Sequence, residues 1–163
     1  MKKISNQKNV LKGIKFMSKY SENTTQFKDV DCLIAALIDM GFTREQIEVN
    51  ENGSFLYDYH GSKTKYLDGK NYDTANVIIR ATHVNSVLSG GASNDLGFRK
   101  SADGTYGAII SEYDSRYVNA GWMSKLKTNY ATHGIMKQAK KVGLRYVNTT
   151  IKNGKRKLVF QKA

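Results

Sequence analysis

The chain has 163 residues, a length typical of one domain rather than two. Its 26 lysines and arginines outnumber its 14 aspartates and glutamates, which gives a formal net charge of +12. No apolar run approaches the roughly 18 residues that a membrane-spanning helix needs, and the polar amino terminus differs from a signal peptide. Cys32 is the only cysteine, which excludes an intramolecular disulfide and a thiolate metal cluster. These features favour a cytoplasmic protein without a membrane partner.

The charge is unevenly distributed along the chain. Residues 1–28 carry a net charge of +6, and residues 29–118 carry −5. Residues 119–163 carry eleven basic side chains and no acidic one. The two ends are therefore basic, and the larger excess lies at the carboxyl end.

The first predicted elements are a tail, a strand and a helix. We expect residues 1–13 to form a basic flexible tail and residues 14–163 to form a single α+β domain, with a first strand beginning at Ile14. A helix is predicted next, with Asp29 as its N-cap and Gly41 as its left-handed stop. Its apolar residues have the spacing of one helix face: Val30, Leu33, Ile34, Leu37 and Ile38.

The middle of the chain has the pattern of β-strands and turns. The dipeptide Asn52-Gly53 predicts a hairpin between the strands 46–50 and 54–59, and a further strand is expected at 75–80. Residues 85–94 are predicted to form a glycine-containing loop. A second hairpin is predicted around Asp103-Gly104, between Leu96–Arg99 and Tyr106–Ile110.

The carboxyl-terminal third predicts one long helix and one hairpin. The helix is expected over 121–142, with a kink at Gly134 and a stop at Gly143. The hairpin is expected to turn at Asn153-Gly154 and to pair 144–151 with 157–160.

The order of these elements predicts an α+β fold. We expect an antiparallel sheet of about six to seven strands with two helices on one face. A helix, a glycine stop and an Asn-Gly hairpin occur twice in order, which either indicates two βαββ-like halves or is a chance recurrence of a common unit.

The order of several short motifs resembles an uncharacterised family, that of hypothetical chloroplast open reading frame thirty-five, or domain of unknown function twelve fifty-seven. Its members occur in algal plastids, bacteria and phages. The matching segments are Phe27–Gly41, Ala75–Ile79, Asp95–Phe98, Asp103–Tyr106, Asn129–Ala131, Gly154 and Leu158–Phe160. This chain departs from the family in its extra residues 1–16, in the loop 85–94, and in Asn129, where the family tends to have Arg. The resemblance implies a fold but no reaction, and a phage member would act in the host cytoplasm.

Catalytic and metal-binding patterns are weak in this sequence. The three histidines have no ligand spacing, so neither a metal site nor a cofactor is predicted. The glycine-rich segment 89–94 lacks the Lys-Ser/Thr end and the following helix of a phosphate-binding loop. A small enzyme that uses Asp58, His60 or Cys32 stays open as a third hypothesis.

The basic carboxyl-terminal third is the strongest functional signal. Such a cluster attracts polyanions, because binding releases their counterions. We therefore predict a non-catalytic binding or accessory protein that contacts RNA, DNA or a ribonucleoprotein. The alternative is an adaptor or inhibitor whose basic face docks on an acidic protein surface. The predicted contact residues are Lys125, Lys137, Lys140, Lys141, Arg145, Lys152, Lys155, Arg156 and Lys157.

Overall fold

The computed structural model describes residues 20–23, 25–64, 73–88 and 94–163. The predicted tail at 1–13, the strand at Ile14 and most of the glycine-rich segment 89–94 lie outside the described residues.

Within these ranges the chain forms three α-helices and seven strands. The helices are α1 (Val30–Asp39), α2 (Ala81–Leu88) and α3 (Ala120–Lys141). Arg44–Gln46 and Asp114–Arg116 are single turns of 3-10 helix. The strands are β1 (Tyr20–Asn23), β2 (Ile47–Phe55), β3 (Thr74–Ile79), β4 (Leu96–Lys100), β5 (Tyr106–Ser111), β6 (Leu144–Lys152) and β7 (Lys155–Lys162). Of the helices in the described ranges, none is both long enough and apolar enough to cross a membrane.

The strands form two separate sheets. Five strands pair antiparallel in the order β1-β5-β4-β3-β2, and among the described residues β6 pairs only with β7. The α+β class is confirmed, but the single sheet of six to seven strands is wrong. The two βαββ-like halves are also wrong, because β1 pairs with β5 and the last hairpin never joins the larger sheet. A local hairpin satisfies its own backbone, so its sequence does not reveal which sheet it joins.

The helices cover one face of the five-stranded sheet. Alternate residues of the strands, such as Val77, Phe98 and Ile110, pack with Leu37 of α1 and Leu126 of α3 in the main core. Helix α2 adds Val84 to the same core, so three helices rather than two contribute to this face. A smaller cluster on the opposite face contains Leu56, Ala75, Ile78 and Ile109.

The ends of the predicted helices are confirmed. The Asp29 carboxylate accepts a hydrogen bond of 3.1 Å from the Cys32 backbone N–H, and Gly41 follows α1 with φ +112°. Asn119 caps α3 in the same way, at 3.0 Å from the Trp122 N–H. Gly143, the predicted stop of α3, adopts the left-handed conformation, with φ +75°. Helix α3 continues through Gly134.

Two predictions in the middle of the chain are wrong. Asn52-Gly53 is a bulge within one continuous strand, β2, whose register against β3 shifts between Val49 and Ser54. The Asn76 amide donates to the carbonyls of Asn50 and Glu51, at 3.2 and 3.0 Å, and so satisfies backbone groups that the bulge leaves unpaired. Because this contact comes from β3, the local sequence around Asn52-Gly53 could not indicate the bulge.

The first part of the predicted loop 85–94 is instead the end of α2. The Asp95 carboxylate accepts a hydrogen bond of 2.9 Å from the Ala81 N–H at the start of this helix. Because its capping group lies 14 residues further along the chain, α2 has no local start signal. The hairpins at Asp103-Gly104 and Asn153-Gly154 are confirmed.

Gly97 in the central strand β4 is required by close packing. A Cβ there would lie 2.8 Å from the Ala75 Cβ and 2.9 Å from the Leu56 Cδ2. We expect Gly97→Ala to lower the free energy of unfolding by about 1–3 kcal/mol, because the strand and Leu56 must move apart. Gly134→Ala is the control. It has no neighbour within 4 Å and should raise stability by about 0.5–1 kcal/mol through helix propensity. Urea unfolding measures both, and a Gly97→Ala protein as stable as the wild type would contradict the packing argument.

Candidate nucleic-acid interface

The basic carboxyl-terminal third folds as α3 and a two-stranded ribbon, which we define as Leu144–Lys162. The chain reverses after α3, and the ribbon runs back along the helix. Leu144 and Phe160 line a groove of about 640 Å³ beside Gln138, near the carboxyl end of α3. Arg156 and Leu158 line a second groove, of about 550 Å³, beside Thr128, which lies nearer the amino end of α3.

The pairing register divides the ribbon into two faces. Cα partners in an antiparallel pair project their side chains to the same face, and successive residues alternate. The inner face carries Arg156, Leu158 and Phe160, which line the grooves beside α3, and by register also the exposed Tyr146, Thr149 and Ile151. The outer face carries by register Arg145, Asn148, Thr150, Lys152, Lys155, Lys157, Val159 and Gln161, of which Lys155, next to the turn, also lines the second groove.

Arg156 connects the inner face to α3 by hydrogen bonds. Its guanidinium donates to the Thr132 hydroxyl at 3.0 Å and to the side-chain Oδ1 of Asn129 at 3.4 Å. Asn129 is buried and its amide contacts the Met40 sulfur at 3.4 Å, which connects the ribbon to the end of α1. Arg156 was predicted as a polyanion contact, and the fold gives this side chain intramolecular partners.

Lys137 is also engaged within the fold. Its ammonium forms an ion pair with the Asp29 carboxylate and lies 4.0 Å from that of Asp31. The hydrogen bond with Lys137 lowers the pKa of Asp29, and the same contact raises the pKa of Lys137. One turn earlier, His133 lies 2.6 Å from the Asp39 carboxylate. The face of α3 that carries Lys137 therefore packs on α1 and is not a free cationic surface.

The seven other predicted contact residues have exposed side chains, and none of them has a carboxylate partner within the described ranges. Lys140 and Lys141 lie at the end of α3. Four more lie on the outer face of the ribbon, and Lys125 stands apart near the start of the helix. Lys140, Lys141, Arg145, Lys152, Lys155 and Lys157 are thus spread from the end of α3 along the ribbon to its turn, and we call them the outer cation set.

Two lysines that the sequence argument omitted lie near this surface. Lys127 lines the second groove together with Lys155, and Lys162 ends β7 opposite Leu144. Both belong to the basic carboxyl-terminal third but not to the nine predicted contact residues. No Asp or Glu follows Asp114 in the sequence, and this feature could have indicated that Lys127 and Lys162 also lack a nearby acidic residue in the chain.

The pairing of the outer face places like charges opposite one another. Lys152 is the Cα partner of Lys155, and Lys157 lies opposite Thr150 one pair further from the turn. Like charges directly across a strand pair destabilise it. An anion bound between these ammonium groups would relieve the repulsion.

The catalytic candidates do not form a site. Cys32 is buried, and burial together with the neighbouring Asp29 carboxylate raises the pKa of its thiol. The Asp58 carboxylate accepts backbone N–H bonds of 2.9 Å from His60 and Ser62, and so shapes a turn. The segment carrying Asp58 packs through Leu56 on the sheet face opposite α1. Among the described residues, no three His, Cys, Asp or Glu side chains are grouped as metal ligands would be.

A polar network that the sequence did not indicate lies at the start of α2. Asp95 is buried and accepts from Arg80 at 2.7 Å and from the Tyr57 N–H at 2.9 Å. Glu48 binds the same guanidinium at 2.6 Å, and Glu48 and Asp95 together raise the pKa of Arg80. These contacts join β2, the segment after it and α2. The network therefore has a structural role.

A family described as protein of unknown function, DUF1257, matches residues 46–159. This chain belongs to the DUF1257 family. The matched DUF1257 region runs from the start of β2 into β7 and so includes α3 and most of the ribbon, whereas α1 precedes it. No curated protein and no solved structure matches the chain.

The burial of Cys32 predicts an unreactive thiol. We expect iodoacetamide at neutral pH to modify Cys32 much more slowly in the folded protein than in urea, because a buried thiol with a raised pKa forms little thiolate. Mass spectrometry over time measures the two rates. Equal modification rates would contradict the burial argument and would keep Cys32 as a candidate nucleophile.

The ion pair of Lys137 predicts a pH-dependent stability difference. At neutral pH we expect Lys137→Gln to be less stable than Lys140→Gln, which removes an equal charge from an exposed position of the same helix. The folded pKa of Asp29 is lowered from 3.8, so its contribution is present above that value and is lost as the pH falls through the folded pKa. Thermal unfolding should show the difference at pH 7 and not in strong acid. A difference that persists in acid would contradict the ion-pair explanation.

Proposed function

We propose that this DUF1257 protein binds nucleic acid through the outer cation set and acts as a non-catalytic accessory factor. One observation carries the proposal. Of the seven predicted contact residues without a carboxylate partner among the described residues, six lie on the outer face of the ribbon or at the end of α3 that leads into it. No carboxylate side chain follows Asp114 in the chain to neutralise them.

The electrostatics favour a polyanion over a single small anion. Phosphates spaced along a nucleic acid can contact cations spread over the length of the ribbon, and each contact releases counterions. The ribbon of nine-residue β6 and eight-residue β7 extends for about 30 Å, which spans several phosphates of one strand.

The composition of the outer face argues against the adaptor hypothesis. Protein interfaces are depleted in lysine at their centres and are anchored by buried aromatic residues. Among the paired residues of the outer face, Val159 is the only large apolar side chain, and the exposed Val147 lies at the register shift. Tyr146 and Phe160 lie on the inner face, with ring centroids 6.0 Å apart. A face of lysine, arginine and small polar residues fits a phosphate backbone better.

The lysine pair at the turn provides the direct test. We expect Lys152→Gln/Lys155→Gln to weaken binding to nucleic acid on the order of tenfold near 0.1 M salt and to reduce the slope of log K against log salt by about 2. The control, Lys28→Gln/Lys100→Gln, removes two exposed charges that belong to neither α3 nor the ribbon and should leave both quantities nearly unchanged. Fluorescence anisotropy over a salt series measures them.

Two results would overturn the proposal. One is the absence of low-salt binding to all four of single- and double-stranded RNA and DNA. The other is equal weakening by the two double variants, which would indicate a general charge effect. Capture of a cellular partner that survives nuclease treatment, together with either result, would favour the adaptor.

A further inference from the structure

We infer that the nucleic acid is duplex DNA and that the ribbon enters its major groove with the outer face toward the base edges. This inference rests on the proposed function and adds to it the form of the partner and the roles of individual side chains. It is argued from the shape of the ribbon, from the order of side chains along it and from the position of its aromatic rings.

The shape of the ribbon selects one kind of groove. The ribbon is a separate two-stranded sheet, and every residue of β6 after Leu144 is exposed. The major groove of B-form DNA, about 12 Å wide and about 8.5 Å deep, admits a two-stranded β-ribbon. The major groove of an A-form RNA duplex is too deep and narrow for side chains to read. Helix α3 lies beside Arg156, Leu158 and Phe160 of the inner face, so the outer face is the side of the ribbon turned away from the helix.

The order of side chains on the outer face matches the layout of the groove. Lys140, Lys141 and Arg145 lie at one end, and Lys152 and Lys155 lie at the other. The phosphates lie along the two rims of a groove and the base edges lie on its floor. A ribbon about 30 Å long must lie along a groove about 12 Å wide, and because the groove curves away beneath a straight ribbon, the cations at the ribbon ends are placed to contact phosphates.

Uncharged hydrogen-bonding groups occupy the middle of the outer face. Asn148 lies opposite Val159, and Thr150 lies opposite Lys157. An asparagine amide can pair with the N6 and N7 edge of adenine, a threonine can bond to several base edges, and a lysine can bond to the O6 and N7 of guanine. We therefore assign base contacts to Asn148, Thr150 and the neighbouring Lys157.

The aromatic rings argue against a single-stranded partner. Proteins that bind single strands stack bases on exposed aromatic side chains. Tyr146, which is 42% exposed, and Phe160 lie on the inner face, so bases stacked there would lie across the ribbon from its lysines. The outer face carries no aromatic side chain, so it lacks a stacking platform.

The first experiment compares polymers of the same sequence. Anisotropy at near-physiological salt should show binding to duplex DNA on the order of tenfold tighter than to duplex RNA or to either single strand. Methyl green, which occupies the major groove, should displace the protein from duplex DNA. Netropsin, which occupies the minor groove, should not.

The second experiment separates base contacts from phosphate contacts. Asn148→Ala/Thr150→Ala changes no charge, so we expect its salt slope to match that of the wild type. Selection from a random-sequence duplex pool should show its base preference reduced on the order of tenfold. Asn52→Ala/Thr82→Ala removes the same groups from exposed positions outside the ribbon and should retain the wild-type preference. Equal thermal midpoints would confirm that all variants fold.

The outcomes distinguish this inference from the proposed function. Equal affinity for all four polymers, displacement by netropsin alone, or an unchanged base preference in Asn148→Ala/Thr150→Ala would each overturn the duplex-DNA inference and leave nucleic-acid binding in place. Absence of binding to every polymer would overturn both.

Discussion

The arrangement of the basic surface depends on the contact between Arg156 and α3. A two-stranded hairpin alone is at best marginally stable in water, and this one is exposed over most of its length. The hydrogen bonds from Arg156 to Thr132 and Asn129 fix which face of the ribbon packs on the helix. Because side chains alternate across a strand, that choice also decides that Lys152, Lys155 and Lys157 face outward.

The same physical rule divides the charge excess into two parts. Lys137 and Arg156 have partners inside the fold and stabilise the packing of α3 against α1 and the ribbon. Among the described residues, the outer cation set has no carboxylate partner. The net charge of +12 is therefore divided between cations that stabilise the packing and cations on exposed side chains.

Identical local signals led to different structures in the two Asn-Gly dipeptides. At Asn153-Gly154 both residues adopt positive φ, +52° and +72°, and the chain turns as predicted. At Asn52-Gly53 the chain continues as β2, because β3 offers a full strand of partners and Asn76 satisfies the carbonyls at the bulge. Pairing with a distant strand outweighed the turn preference. Helix α2 was missed for a related reason, since its capping carboxylate, Asp95, follows it in the chain.

By itself, the sequence determined the features that depend on neighbouring residues. These are the α+β class, the capped ends of α1 and α3, the two hairpins with Asp-Gly and Asn-Gly turns, the family resemblance, and the basic carboxyl-terminal third. Only the tertiary structure decided the sheet order, the separation of the ribbon from the main sheet, and which of the nine predicted cations are free. Those outcomes depend on contacts between residues far apart in the chain, such as Lys137 with Asp29 and Arg156 with Asn129. Charge and periodicity are local quantities, and they do not specify which distant group a side chain will meet.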